Sequence, residues 1–359
     1  MKVSDFDYRL PQEFIAQTPA EKRDHSRLMV LERRTQSVEH RMFYDITDYL
    51  KAGDLLVLND TKVMPANLTG IKEGGSAKVE VLLTRPIGPT AWECLVKPGK
   101  RLSVGSRVIF GDGEVVGKVL EKLESGEQII EFTGDLQKYM AKHGEIPLPP
   151  YIEKVESRKS PPAGRAGKIE NRYQTVYAKN EGASAAPTAG LHFTPELLEK
   201  IKSQGVELAY VTLHTGLATF KPVYVENVEE HTMYKERFEV PKETMEKLKK
   251  AKRVIGVGTT TVRTLETIAN SPPLSPSLNK RGGNPKGGGE LKDETDLFIY
   301  PGFKFKMVDA MITNFHFPRS TLLMLVSAFA GKDFIIKAYQ EAMEKGYRFF
   351  SFGDAMLIL

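Results

Sequence analysis

The chain has 359 residues, of which 41% are apolar and 27% are charged, and its formal net charge at pH 7 is +5. This length predicts two domains of ordinary globular composition, and the mild basic excess fits an acidic partner. A single cysteine, Cys94, excludes an internal disulfide framework and a cysteine-based zinc site. The sequence contains neither an apolar run of about 18 residues nor a signal-peptide pattern, and we therefore predict a cytoplasmic protein without membrane spans.

The first half of the chain contains a block of short strand-like runs. A buried strand first leads into a polar loop in "AGDLLVLNDTKVMPANL" (52–68). Runs such as "AKVEVLLTR" and "EQIIEFTG" then alternate with Gly or Pro turns about every ten residues, which is typical of a small antiparallel barrel. We therefore predict a β-barrel domain over 66–149, inserted into an α/β domain made of 1–65 plus 150–359.

The remainder alternates helical and strand patterns. Helix patterns cover 195–205, 242–252, 260–270, 320–331 and 333–346, and strand patterns cover 206–214, 253–258, 307–316 and the closing segment 347–359. Thr194 is a suitable N-cap and Pro195 a suitable first residue for the first of these helices. This order predicts a mixed sheet flanked by helices, the larger part of an α/β fold.

Two basic segments rich in Pro, Gly and Ser, at 157–170 and 271–292, are predicted to be loops. They are either solvated surface or flexible arms that touch a phosphate backbone. The sequence leaves their role open.

Polar residues collect where predicted strands lead into helices, the place where ligands bind in open α/β sheets. The first such junction, "AAPTAGLHFTPELL", contains Thr188, Gly190 and His192. The second ends a strand at His214, which falls in phase with the polar face of that strand.

The third junction, "VIGVGTTTVRTLE", places Thr259, Thr260 and Arg263 at the start of a helix. Backbone N–H groups and hydroxyls there suit a carboxylate or a phosphate, although the threonines also suit simple helix capping. The segment matches neither the Walker A nor the dinucleotide-binding glycine pattern.

The fourth junction, "ITNFHFPRSTLLMLV", contains Asn314, His316 and Ser320, and Ser320 is also a candidate helix cap. The fifth, "FFSFGDAML", contains Asp354 within an apolar strand pattern. A carboxylate in that setting is either paired structurally or functional.

Three of the seven histidines, His192, His214 and His316, lie at these junctions. Their spacing does not match a metal-ligand pattern, and no G-x-S-x-G nucleophile elbow is present. We therefore predict general acid–base chemistry, for which imidazole has a suitable pKa.

Ten motifs, read in order, resemble those of the S-adenosylmethionine:tRNA ribosyltransferase-isomerase family of queuosine biosynthesis. They run from residue 4 to the C-terminus and include "LNDTKVMPANL", "RYQTVYA", "APTAGLHFT", "VGTTTVRTLE" and "TNFHFPRSTLLMLVSAFAG". The resemblance implies two domains, an α/β domain interrupted by a small β-barrel.

The resemblance also implies a reaction. The ribosyl part of S-adenosylmethionine is transferred to the aminomethyl group of a 7-deazaguanine at the tRNA wobble position and is rearranged to an epoxycyclopentanediol. The products are epoxyqueuosine-tRNA, adenine and methionine. S-adenosylmethionine is thus a substrate, no cofactor or metal is implied, and the partners are the modified tRNA and this donor. We expect a monomer.

The chemistry of the side chains suggests roles for them in this reaction. His192, His214 and His316 are the candidate acid–base set, Glu236 is a further carboxylate, and Asp354 is an acid for adenine departure. The donor-binding candidates combine hydroxyls, an amide, a guanidinium and one glycine: Thr188, Gly190, Thr259, Thr260, Arg263, Asn314 and Ser320. RNA contacts are predicted for Arg23, Arg27, Arg172 and Tyr173, although Tyr173 suits core packing equally well.

Some residues depart from the family pattern. The chain has "HTGLATF", with Thr215 and Ala218, where the family usually has "HVGLGTF", and it has "IENRYQT" where an acidic "DxERYQT" is usual. The second departure weakens any assignment in that region. Two rival functions stay open: an RNA methyltransferase with the same donor, which would release S-adenosylhomocysteine, and a non-catalytic RNA-binding protein.

Overall fold

The computed structural model of the chain describes residues 1–124, 126–152, 165–216, 223–270 and 290–359. It divides into two compact units, which are described separately. The larger comprises Met1–Lys62, Pro149–Asn180 and Ala186–Leu359, and the smaller comprises Val63–Leu148 and Glu181–Ala185. Within the described ranges, no helix combines the length and the hydropathy needed to cross a membrane.

The strands are β1 Arg27–Glu32, β2 Ser37–Met42, β3 Asp54–Asn59, β4 Thr61–Val63, β5 Asn67–Lys72, β6 Lys78–Pro86, β7 Ala91–Lys97, β8 Arg107–Phe110, β9 Val115–Lys122, β10 Gln128–Thr133, β11 Asn180–Ala183, β12 Glu207–Leu213, β13 Glu236–Val240, β14 Arg253–Val257, β15 Leu291–Thr295, β16 Ala310–Asn314 and β17 Ala355–Ile358. The helices are α1 Leu136–His143, α2 Arg165–Arg172, α3 Pro195–Ser203, α4 Lys242–Lys250, α5 Thr259–Asn270, α6 Thr321–Ala330 and α7 Lys332–Glu344.

The smaller unit is built around a closed barrel. Its strands follow the order β10-β7-β6-β5-β8-β9, and every pair in it is antiparallel. In β6, Val79, Val81 and Leu83 are buried, so alternate residues fill the interior as the pleat requires. The predicted antiparallel barrel is confirmed. Strands β4 and β11 pair as a separate two-stranded sheet.

The larger unit contains a mixed sheet in the order β15-β13-β12-β3-β14-β16-β17-β1-β2. Alternate residues of the central strand β3 enter two apolar clusters: Leu55 and Val57 pack in one, and Leu56 and Leu58 pack in the other. Both faces of the sheet are therefore buried, as is usual where helices cover the parallel strands of a sheet. The predicted α/β fold with a mixed sheet is confirmed.

The sheet brings the predicted junctions to one edge. Strands β12, β3, β14 and β16 are parallel neighbours, so their carboxyl ends lie at the same edge. Strand β17 is antiparallel to β16 and parallel to β1, so the amino ends of β17 and β1 lie there as well. We call this the polar edge.

The closing segment differs from its prediction. The strand covers only Ala355–Ile358, and 347–354 forms a compact loop. The Asp354 carboxylate accepts hydrogen bonds from the backbone N–H groups of Arg27 and Arg348, at 2.9 and 2.8 Å. Phe350 has a φ of 70°. These two hydrogen bonds replace a ladder, because a buried carboxylate needs donors that an extended strand would not supply.

Candidate functional site

His192 lies at the polar edge in a 3-10 turn, Thr188–His192, that ends just before α3. Its ring is 4% exposed and stacks on Phe43 with the ring centroids 5.0 Å apart. Nδ1 lies 2.6 Å from the Ser26 hydroxyl, and Nε2 lies 3.1 Å from the Asn314 amide nitrogen. Both ring nitrogens are therefore engaged.

The Asn314 amide determines the tautomer of this imidazole. Its nitrogen also lies within hydrogen-bond distance of two backbone carbonyls, those of Phe350 and Asp354, so the NH₂ group must face them. Asn314 then donates to Nε2 of His192, and Nδ1–H donates to Ser26. Burial, followed by the charges of Arg348 and Arg23, lowers the pKa of His192 to about 3. The ring is neutral at physiological pH.

A small cleft opens beside His192. Its walls include Arg23 and Arg172, together with Pro19, Ala20, Ser26, Leu191, Ser351, Phe352 and Gly353. The Arg23 guanidinium donates to the Leu191 carbonyl at 3.0 Å, and Arg172 donates to the Ala20 carbonyl at 2.8 Å. Burial and the neighbouring Arg172 lower the pKa of Arg23 to about 10. Two neighbouring cations held by neutral carbonyls form a wall that attracts anions.

Gly190 is required by packing. A Cβ added at this residue would lie 2.0 Å from the Tyr177 hydroxyl oxygen and 2.8 Å from a methyl carbon of Thr175. Gly190, which the sequence analysis predicted as a donor-binding residue, thus allows a close approach to a tyrosine. Thr188 is partly exposed at the start of the same turn.

A second polar cluster, which the sequence analysis did not assign, follows β3. Asp60 accepts from the Thr212 hydroxyl at 2.6 Å and from the Asn180 amide at 3.1 Å. Asn59 donates to the Leu213 carbonyl at 3.0 Å and to the Thr260 hydroxyl at 3.3 Å. These bonds join the ends of β3 and β12 to the start of α5.

His214 directly follows β12 and borders this cluster. Its Nδ1 lies 2.8 Å from the Thr61 hydroxyl, and Nε2 has no hydrogen-bond partner in the described part of the chain. Burial lowers its pKa, the carboxylates of Glu239 and Asp60 raise it, and Arg237 lowers it. Partly exposed and with one free ring nitrogen, His214 is better placed for proton transfer than His192.

Glu236 and Arg263 form a buried ion pair at this edge. An Oε atom of Glu236, at the start of β13, lies 2.7 Å from Nη2 of Arg263, and the two residues are 9% and 4% exposed. Arg263 is one turn into α5, which begins at Thr259. The third threonine of this turn, Thr261, donates to the Val257 carbonyl at 2.7 Å, as helix-start hydroxyls often do.

His316 and Ser320 have structural partners. His316 is buried, its Nε2 lies 3.1 Å from the Thr313 hydroxyl, and its Nδ1 lies 3.4 Å from the Tyr339 hydroxyl. Burial lowers its pKa to about 3, so it too is neutral. Ser320 caps α6 by accepting from the Leu323 N–H at 3.2 Å.

The remaining predicted residues also have defined positions. Asp354 is 2% exposed, and burial raises its pKa while its backbone donors oppose that shift. The Arg27 guanidinium lies over the Tyr347 ring, 3.8 Å from its centroid. Tyr173 is fully buried, edge-on to Phe352, so it packs in the core and offers no face to a base.

Several predictions lie outside the described residues. These are Ala218 of the altered "HTGLATF" motif, most of the basic segment 157–170 and nearly all of 271–292. Among the residues that the structure does describe, no group of three or more His, Cys, Asp or Glu side chains is arranged to hold a metal ion.

Ser26, Asn59, Asp60 and Asn180 are the polar-edge residues that sequence reasoning missed. Asn59 and Asp60 belong to the quoted motif "LNDTKVMPANL", which was the available signal. Ser26 had none, because it contacts a histidine 166 residues away.

Comparison with known proteins gives one consistent result. A family model described as "Queuosine biosynthesis protein" matches residues 3–358. The chain is 52% identical over 363 positions to the S-adenosylmethionine:tRNA ribosyltransferase-isomerase of Thermotoga maritima, and 50% identical over 366 positions to that of Desulfitobacterium hafniense, with 100% of each chain covered. The crystal structure of S-adenosylmethionine tRNA ribosyltransferase from Thermotoga maritima is similar with a TM-score of 0.54 and 43% identity, covering 99% of this chain and 100% of that chain.

Proposed function

The chain belongs to the queuosine biosynthesis protein family, and we propose that it acts as an S-adenosylmethionine:tRNA ribosyltransferase-isomerase. The observation that carries this proposal is the match of the whole chain, at about half identity, to relatives of that name. The reaction transfers the ribosyl group of S-adenosylmethionine to the aminomethyl group of a tRNA wobble deazaguanine and rearranges it. Its products are epoxyqueuosine-tRNA, adenine and methionine.

His214 is the proposed general base. The reaction requires removal of a proton from the ribose carbon next to the sulfonium, whose positive charge acidifies that carbon. A neutral imidazole with one free nitrogen is suited to accept it. The Thr61 hydroxyl holds the other nitrogen, which fixes the orientation of the ring.

His192 is proposed to hold neighbouring side chains in place beside the cleft. It is neutral and bonded at both nitrogens, so its contribution is to fix Ser26 and Asn314 next to the 188–192 turn. His316 is proposed to support the same edge from within the core. Asp354 holds the 348–354 loop through its two backbone donors.

The Arg23 and Arg172 wall is proposed to contact tRNA phosphate. Both guanidinium groups lie beside the cleft, and their neighbouring positive charges favour an anion. We further propose that the protein acts as a cytoplasmic monomer and needs neither a metal nor a further cofactor. Sedimentation tests whether the protein is a monomer. Adenine release in the presence of a chelator tests whether it needs a metal.

The reaction is tested by the products. S-adenosylmethionine is incubated with tRNA that carries the aminomethyl deazaguanine, and the nucleobase, amino acid and nucleoside products are separated by chromatography. We expect adenine and methionine in equal amounts, dependent on the modified tRNA. S-adenosylhomocysteine would instead indicate a methyltransferase, and tRNA binding without any donor product would indicate a binding protein.

The base is tested by His214→Gln. We expect adenine release to fall by roughly 10²- to 10⁴-fold with little change in donor binding, because a general base contributes about that factor. His231→Gln is the matched control, since burial also lowers the pKa of His231, whose ring packs edge-on against Phe298. Equal losses in the two variants would remove His214 from this role.

The RNA surface is tested by salt dependence. Arg172→Met should reduce the slope of log Kd against log salt by about one, since one phosphate contact is lost. Arg33→Met is the control, because the Arg33 guanidinium likewise donates to backbone carbonyls but follows the opposite end of β1. Unchanged slopes in both variants would place the phosphate contacts elsewhere.

A further inference from the structure

The buried pair of Glu236 and Arg263 lacks hydrogen bonds that its burial requires. The Nε and Nη2 atoms of Arg263 and the Oε2 atom of Glu236 are buried and have no hydrogen-bond partner among the residues that the structure describes, although Nη2 and Oε2 lie only 2.7 Å apart. The two opposite charges attract each other, but Nη2 and Oε2 do not have the angles of a hydrogen bond. A buried guanidinium with unused N–H groups is costly, and native proteins rarely leave one without a purpose.

Another ion pair in the same unit shows how this chain builds a structural contact. Arg253 donates from Nε to one Asp54 oxygen at 3.1 Å and from Nη2 to the other at 2.5 Å, and it also donates to the Tyr49 carbonyl. That pair is a bidentate fork, the strong geometry for a guanidinium and a carboxylate. The pair at Arg263 is more buried and yet less satisfied.

A third unsatisfied group belongs to the same place. The Thr215 hydroxyl is buried and has no hydrogen-bond partner within the described part of the chain. Strands β12 and β13 pair with Leu213 opposite Phe238, and the His214 N–H donates to the Arg237 carbonyl, so this register places Thr215 opposite Glu236. Arg263 lies in the first turns of the 12-residue helix α5, whose amino end attracts anions.

We propose that Arg263, Glu236 and Thr215 bind the α-amino-acid end of S-adenosylmethionine, a subsite that rests on the proposed function. Arg263 receives the carboxylate on its unused N–H groups, Glu236 receives the ammonium, and the Thr215 hydroxyl completes the hydrogen bonds. A zwitterion matches one buried cation beside one buried anion, whereas a phosphate would be repelled by Glu236.

The experiment compares the binding of S-adenosylmethionine with that of its decarboxylated analogue, which keeps the sulfonium and the ammonium. Calorimetry should show wild-type protein binding the carboxylated donor on the order of 10- to 100-fold more tightly, the range expected for hydrogen bonds to a charged group. The variant is Arg263→Met combined with Glu236→Leu, because replacing a buried ion pair by apolar residues keeps the fold where a single replacement leaves an unpaired charge. We expect it to fold and to bind both ligands with the same weak affinity.

Two results would overturn the subsite: wild-type protein that does not distinguish the two ligands, or a folded double variant that retains the wild-type preference. If the double variant does not fold, Arg263→Lys gives the decision, because it keeps the charge but loses the guanidinium geometry and should reduce the preference. Failure of the proposed function has a different signature. Wild-type protein would then show the carboxylate preference yet release no adenine with modified tRNA.

Discussion

Replacing Gly190 with alanine tests how the 188–192 turn is held. The added Cβ would lie 2.0 Å from the Tyr177 hydroxyl oxygen, whereas ordinary contacts begin near 3.4 Å, and the Thr175 methyl at 2.8 Å restricts movement on another side. Overpacking of this kind costs about 1–3 kcal/mol, and contacts from two residues place Gly190→Ala at about 3 kcal/mol. Tyr177→Phe alone should lower stability by less than about 1 kcal/mol or should raise it, because the hydroxyl it removes is buried without a hydrogen-bond partner in the described structure.

The double variant measures the contact itself. Removing the hydroxyl leaves the Tyr177 ring carbon Cζ 3.0 Å from the new methyl group, so the rescue is partial. We expect an interaction energy of about 1–2 kcal/mol in a double-mutant cycle, measured by denaturant unfolding followed by near-ultraviolet circular dichroism. Additive effects, or a Gly190→Ala protein as stable as the wild type, would refute the packing account and return Gly190 to the ligand-binding role that the sequence predicted.

Two further predictions concern the polar edge. If neutral His214 is the base, adenine release falls as the pH drops through the pKa of His214, which burial and Arg237 lower and which Glu239 and Asp60 raise. In pH–rate profiles at low salt, Glu239→Gln should therefore move this acidic limb to lower pH, and Arg237→Gln should move it to higher pH. A limb that stays in place in both variants would exclude His214. Ser320→Ala removes the cap of α6 and should cost about 1 kcal/mol of unfolding free energy with the KM for S-adenosylmethionine unchanged, whereas a raised KM at wild-type stability would support the predicted substrate contact instead.

Local chemistry made parts of the fold predictable. Thr194 accepts a hydrogen bond from the Leu197 N–H at 3.1 Å, with Pro195 at the first helical position, as the sequence predicted for α3. The barrel was predictable because strand alternation and Gly turns are encoded within about ten residues. Such features depend on neighbours in the chain, which a single sequence displays.

The polar edge was predictable only in part, because its contacts join distant segments. The junction residues could be named, since carboxyl ends of parallel strands share an edge. Their partners could not: Asn180 and Asp60 are 120 residues apart, and nothing near either one encodes the other. At Tyr173 the sequence left RNA stacking and core packing equally open, and the fold buries the residue completely.

Burial separates the three histidines that the sequence grouped together. His192 and His316 each have a pKa of about 3. Protonating either of them at pH 7 therefore costs on the order of 5 kcal/mol, since each pH unit above the pKa costs about 1.4 kcal/mol. A base with that penalty would lose most of the rate that general base catalysis provides. Each of these two imidazoles also has hydrogen-bond partners at both nitrogens, which a proton transfer would have to break. Burial also lowers the pKa of His214, but the carboxylates of Glu239 and Asp60 raise it. His214 is partly exposed and has one nitrogen without a partner in the described structure, so it is the residue that we propose for proton transfer.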